Sequence, residues 1–146
     1  MNKILVIHGP NLNLLGTREP GIYGNMTLLQ INALIEEAGQ KQGFLVDTLQ
    51  SNHEGRIVDA IQEARGKYDG IIINPAAFTH YSYAIRDALA AASIPAIEVH
   101  LSNVNAREEF RHTSVTAPIV TGQITGLGPT GYLLALQGLC EYLREK

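Results

Sequence analysis

An open, doubly wound parallel α/β sheet is the fold class this sequence predicts, and three observations carry it. Short apolar runs alternate with longer amphipathic ones along the whole chain of 146 residues. Three of the short runs are almost continuously apolar, as parallel strands covered on both faces must be. No linker, repeat or low-complexity stretch interrupts the alternation. Residues 1–146 therefore read as a single domain, long enough to bury a core.

The elements follow in order. KILVIH, Lys3 to His8, is the first strand, and the segment GPNLNLLGTREPGIYG follows it. The first helix spans Thr27 to Gln42. It opens on TLLQ, whose spacing allows a reciprocal cap of free backbone N–H groups. FLVDTL, Phe44 to Leu49, is the second strand. SNHE offers the same capping spacing before a helix over Glu54 to Gly66, and AGQKQG and ARGKYDG supply glycines for the two helix ends. GIIIN, Gly70 to Asn74, is the third strand, with a helix over His80 to Ala92 beyond it. PAIEVH, Pro95 to His100, is the fourth strand. A polar stretch over Leu101 to Ala117 follows, with room for a short helix around NAREEFRH. PIVTGQI, Pro118 to Ile124, is the fifth strand, and Pro129 to Arg144 the last helix, in which Cys140 reads as a small core residue. Right-handed crossovers between consecutive parallel strands then favour the flavodoxin-like order 2-1-3-4-5.

Composition narrows the function. Apolar residues make up 45% and charged ones 17%, which fits a compact chain. Net charge is −3 and the basic residues are scattered, so no nucleic-acid surface is expected. One cysteine builds neither a disulfide framework nor a structural zinc site within a chain. The apolar run of MNKILVIHG is too short for a signal peptide, and no segment approaches membrane-spanning length. The expected class is a cytoplasmic protein that acts on a small molecule, with no nucleic-acid or membrane partner.

In such folds ligands bind beyond the carboxyl ends of the strands. Three of those ends are HGPN, NPAAFTH and EVHLSN, which bring His8, Asn11, Asn74, His80, Glu98, His100 and Ser102 toward one edge. Glu98 and His100, two apart on a strand, share a face, so a carboxylate can fix the tautomer of an imidazole acid or base. A buried pair that only satisfies itself is the plain alternative, although a glutamate inside an apolar strand is costly without a task. His80 at the start of the third helix and Asp87 seven residues on share a helical face, as a bystander pair would too. Arg107 and Arg111, four apart, can aim at one anion from a helical turn, but a solvated charged helix explains them at least as well. His8 and His53 receive no role. The spacings of metal-binding motifs are absent, and Lys3, Lys41, Lys67 and Lys146 lie away from the proposed edge, so neither a metal nor a covalent lysine is expected.

The segment REPGIYG, Arg18 to Gly24, lies in a βα connection long enough for a lid. A lid tyrosine acts as a base only as phenolate, and lowering a pKa of about 10 to neutrality takes about 4 kcal/mol. A nearby guanidinium in a water-poor site supplies about 1–3 of the three pK units required. Pattern alone leaves the plain alternative ahead: Tyr23 packed on the sheet edge beside an Arg18–Glu19 pair.

GPNLNLLGTREPGIYG, NPAAFTHYSYAIRDAL, EVHLSN and REEFRH, in this order and at this chain length, resemble the type II 3-dehydroquinate dehydratase family of the shikimate pathway. The resemblance spans essentially the whole chain. It implies a flavodoxin-like enzyme that needs no metal, cofactor or Schiff base and assembles as a dodecamer of trimers. It implies that Tyr23 removes a proton from C2 of 3-dehydroquinate, that Arg18 favours the phenolate, and that Asn11 helps hold the enolate through a water. By the same resemblance His100 protonates the departing C1 hydroxyl and Glu98 orients it. Asn74, His80, Leu101, Ser102 and Arg111 match substrate-binding positions, and Asp87 matches one presented across a trimer interface.

Rival readings on the same fold fare less well. A receiver domain needs an acidic cluster after the first strand and an aspartate ending the third, where HGPN and Asn74 stand. A flavin carrier needs a hydroxyl-rich phosphate loop where GPNLNLLG stands. A binding homologue without catalysis is distinguished by Tyr23, Arg18 and His100, all of which are present. The resemblance implies a role in the shikimate pathway and aromatic amino acid biosynthesis, with quinate breakdown as the alternative.

Overall fold

A computed structural model describes residues 2–17 and 25–146. Five parallel strands, β1 (Lys3–His8), β2 (Leu45–Gln50), β3 (Gly70–Asn74), β4 (Ala96–His100) and β5 (Gly122–Thr125), form one sheet in the order β2-β1-β3-β4-β5. The α/β flavodoxin-like order read from the sequence is the order observed. Helices α1 (Leu28–Lys41), α2 (Glu54–Ala64), α3 (Tyr83–Ala92) and α4 (Thr130–Arg144) cover it.

Alternation along each strand sends neighbouring side chains to opposite faces. Ile4, Val6 and Ile72 face one core, with Ile31 and Ile35 of α1 and Tyr132, Leu136 and Leu139 of α4. Leu5, Ile7, Ile71 and Ile73 face the other, with Ile57 and Ile61 of α2 and Ile85 and Leu89 of α3. The middles of β1 and β3 are apolar because both of their faces are dry. Cys140 is buried in the α4 core, as expected, and burial raises its thiol pKa.

The predicted cap at Thr27 is present in both directions. Its side chain accepts from the Gln30 N–H at 3.2 Å, and its own N–H donates to Gln30 Oε1 at 2.9 Å. The second predicted box does not form. Ser51 Oγ accepts the N–H of His53 at 3.0 Å, too early to cap a helix whose N-cap is His53 itself. Glu54 instead accepts from the Ser82 hydroxyl at 2.5 Å, and Ser82 caps α3 by accepting from Ile85 N–H at 3.0 Å. Helix α3 therefore begins at Tyr83, and His80 lies before it in a 3-10 turn, Ala76–His80. Helix α2 ends at Ala64 because Arg65 is extended.

Two further expectations are corrected. The fifth strand begins at Gly122 and not Pro118. Ile119 N–H closes a turn on Thr116 O at 3.0 Å, while Ile119 and Val120 pack against the α2–α3 core, and pairing starts only at Thr121 N–H to Ala96 O. The stretch around Arg107 is two 3-10 turns, Val104–Ala106 and Glu109–His112, so Arg107 and Arg111 do not share one helical turn.

Candidate active site

Parallel strands place all their carboxyl ends on one side, and the loops after β1, β3 and β4 meet there. The crossing of the first two is close. Gly9 N–H donates to Asn74 O at 2.7 Å, and a Cβ on Gly9 would stand 2.7 Å from Pro75 O. Only glycine lets these backbones touch. From there the chain turns through Asn11, whose left-handed backbone (φ 70°) suits asparagine better than a branched residue. Asn11 N–H donates to Asn52 Oδ1 at 3.0 Å, and Gln50 Nε2 donates to Gly9 O at 3.1 Å, tying the loop to the end of β2.

A cavity of about 110 Å³ opens at this edge. Asn11, Asn74, His80, His100, Leu101, Ser102 and Arg111, all singled out in the sequence, line it, and Arg107 joins them. Glu98 lies behind His100, fully buried. Asp87 is exposed on α3 and does not line the cavity within one chain. Arg18 and Tyr23 lie outside the described residues. His8 is buried beneath the site, and His53 is the N-cap of α2.

Glu98 and His100 are neighbours as their spacing implied, with His100 Nε2 2.6 Å from Glu98 Oε2. Three other groups donate to the same carboxylate: Thr79 Oγ1 at 2.7 Å, Thr116 Oγ1 at 2.6 Å and Gln123 Nε2 at 3.0 Å. Since Thr79 gives its hydrogen to Glu98, the Ser114 hydroxyl at 2.6 Å donates to Thr79. Burial opposes ionisation of Glu98, yet the bonds from His100, Thr116 and Thr79 hold its carboxyl below the ordinary range. A fixed anion therefore sits behind the imidazole. It keeps the hydrogen on Nε2 and leaves Nδ1 as the ring atom available to a ligand.

His80 is oriented from the other side. A carbonyl only accepts, so its 2.8 Å contact with Thr113 O puts the hydrogen on Nδ1, and Phe110 packs edge-on against the ring at 5.7 Å. Neutral His80 thus offers an acceptor, Nε2. Arg111 stacks on Phe110 at 4.6 Å and donates through Nε to Glu108 at 2.9 Å. Arg107 Nε lies 3.8 Å from the same carboxylate and its Nη1 3.5 Å from Ser102 Oγ. The Arg111 hydrogen bond leads the effects that lower the Glu108 pKa. Two guanidiniums at one rim suit an anionic group on a ligand.

Sequence reading missed Thr116, Gln123 and Ser114, and also Tyr132, whose hydroxyl accepts from Asn74 Nδ2 at 3.1 Å. These partners come from distant segments, and no local pattern marks them. Among the described residues no group of three His, Cys, Asp or Glu side chains converges as a metal site, and no helix is long and apolar enough to cross a membrane.

Comparison with known proteins agrees with this architecture. The sequence model described as dehydroquinase class II matches residues 2–140. The 3-dehydroquinate dehydratase of Nostoc sp. is 60% identical, with 97% of each chain covered, and that of Halalkalibacterium halodurans is also 60% identical over the same shares. The type II dehydroquinase of Butyrivibrio crossotus superposes with a TM-score of 0.92 at 58% identity, over 94% of this chain and 96% of that one. The type II dehydroquinase of Propionibacterium acnes gives 0.93 at 48% identity, over 97% of each chain. With the family model matched over residues 2–140 and relatives at 60% identity covering 97% of its length, the chain belongs to the class II dehydroquinase family of enzymes.

Proposed function

We propose that this enzyme is a hydro-lyase that converts 3-dehydroquinate to 3-dehydroshikimate by anti elimination of water through an enolate. The observation that carries the reading is the Glu98–His100 pair at the wall of a cavity that also holds amide donors and guanidiniums. Such an elimination needs a base on one side, a donor to the developing oxyanion, and an acid at the leaving hydroxyl. Protonated His100, stabilised by the Glu98 anion, donates from Nδ1 to the C1 hydroxyl as it departs. Asn11 helps hold the enolate oxygen through a water. Tyr23 as phenolate, favoured by Arg18, removes the C2 proton. Asn74, His80 and the Leu101–Ser102 corner meet the hydroxyls, and Arg111 meets the carboxylate, which fixes the reacting atoms in place.

Asp87 belongs to the same reading as a contact made to the site of a neighbouring subunit. Its exposed place on α3, away from the cavity of its own chain, supports this. The assembly is then a dodecamer of trimers, working in the cytoplasm without metal or cofactor.

The test follows the enone absorbance of the product after 3-dehydroquinate is added, with borohydride and EDTA controls. Wild type is expected to give a rise that survives both controls, and Tyr23→Phe and His100→Ala to abolish it. A flat trace from folded wild type rejects the dehydration and leaves a binding homologue on this fold.

A further inference from the structure

Beneath the cavity runs a buried polar chain that the elimination steps do not use. Its direction is set by a group with no choice of role. The Ala76 N–H donates to Asn74 Oδ1 at 3.0 Å, so the amide oxygen points at that turn and Nδ2 points at the Tyr132 hydroxyl, 3.1 Å away. The Tyr132 oxygen therefore accepts, and its own hydrogen goes to His8 Nδ1 at 2.9 Å. A ring nitrogen that accepts leaves the imidazole hydrogen on Nε2, which donates to Asn32 Oδ1 at 2.7 Å. One backbone N–H thus orients four side chains drawn from β3, α4, β1 and α1.

The alternative orientation is costly. Flipping Asn74 would set its NH₂ against the Ala76 N–H, donor to donor, and would need the phenol hydrogen back from His8. Each buried polar group left unpaired costs about 1–3 kcal/mol, and Asn74, Tyr132 and His8 are all buried. Ionisation does not loosen the chain near neutrality either. Burial lowers the His8 pKa to about 4 and pushes the Tyr132 phenol far up. The Asn74 oxygen is therefore held toward Ala76, and one of its two Nδ2 hydrogens is held by Tyr132. With the oxygen turned to Ala76, the amide group left to act in the cavity that Asn74 lines is its second Nδ2 hydrogen.

We propose that Tyr132 and His8 are positioning residues. They lock the Asn74 amide so that it meets a substrate hydroxyl or carbonyl oxygen as a donor, through its second Nδ2 hydrogen. The inference rests on the dehydration proposed above and names how one of its binding groups is set.

Nitrogen-15 NMR of the His8 ring reads the lock without any substrate. The Nε2–H tautomer is expected near neutral pH, and an Nδ1–H tautomer overturns the inference. Kinetics then read its role. Tyr132→Phe is expected to raise KM about tenfold, the worth of roughly one hydrogen bond, with kcat changed much less. In an Asn74→Ala background the same change is expected to be nearly silent, because both act through one contact. Losses that simply add in the double variant overturn the role. His8→Asn, which keeps an acceptor near the place of Nδ1, should retain a lower KM than His8→Leu, and equal values for the two count against the lock. Melting curves identify variants that lose structure, and the tautomer reading on wild type decides the lock even if they do. A wild type inert on 3-dehydroquinate rejects the dehydration, and with it the kinetic role of Tyr132, while the His8 tautomer still tests the lock by itself.

Discussion

At the scale of single residues, buried His8 and buried Glu98 answer to acid over different pH ranges. His8 is neutral when folded, with its pKa lowered by burial from 6.5 to about 4. The unfolded chain thus binds the proton that the native state refuses, and stability falls as pH drops from about 6.5 toward 4. Between pH 7 and 5 the expected loss from this group is about 2 kcal/mol, at 1.36 kcal/mol per pK unit. Urea unfolding at the two pH values checks it, and His8→Asn should flatten the difference. Glu98 has its pKa lowered on folding, so its contribution is present above the ordinary carboxyl range and lost as pH falls through the folded value. Replacing it tests its orienting task. Glu98→Gln presents a donor or a neutral acceptor to His100 and removes the anion, so kcat should fall about 10²-fold or more with little change in KM. The pair itself was legible, because residues two apart on a strand share a face. Its other partners were not: Thr79, Thr116 and Gln123 stand 18 to 25 residues away and reach Glu98 only through the fold.

At the scale of elements, local chemistry was a reliable guide where it competed with nothing. The Thr27 cap forms as its spacing implied, and Thr27→Ala should destabilise the protein by about 1 kcal/mol, read by thermal melting. The matching spacing at Ser51 failed because Glu54 found a partner in Ser82 across the α2–α3 contact, and tertiary bonding outweighed the local motif. The apolar start of the fifth strand misled for a similar reason. Ile119 and Val120 are apolar because they pack against the α2–α3 core, not because they pair in the sheet. Gly9 illustrates a constraint that sequence shows only as a glycine in a loop. Gly9→Ala would drive a Cβ into the Pro75 carbonyl. It should part the β1 and β3 loops, cost about 1–3 kcal/mol and lower kcat/KM. Wild-type kinetics in that variant would show that the crossing does not shape the cavity.

At the scale of the whole molecule, sheet order was legible because five apolar runs in strict alternation with helices leave few right-handed windings. Asp87 is an ordinary exposed acid within one chain, and the contact with a neighbouring subunit proposed for it comes from the family resemblance alone. If Asp87 serves a neighbour, dilution below the dissociation point should lower specific activity, and Asp87→Asn should lower activity without altering the melting point of the subunit. Full activity from isolated subunits would reject the shared site. The two ends of the sheet also differ in how much change they tolerate. The glycine turns that lead into β2 and β3, at Gly43 and Gly66, have open space where a side chain would stand. At the opposite end the Gly9 crossing is packed backbone on backbone. For an engineer, the first end is a handle and the second a keystone: a dye, a linker or a short graft belongs beside Gly43 or Gly66, within a domain whose chemistry is done about a strand's length away.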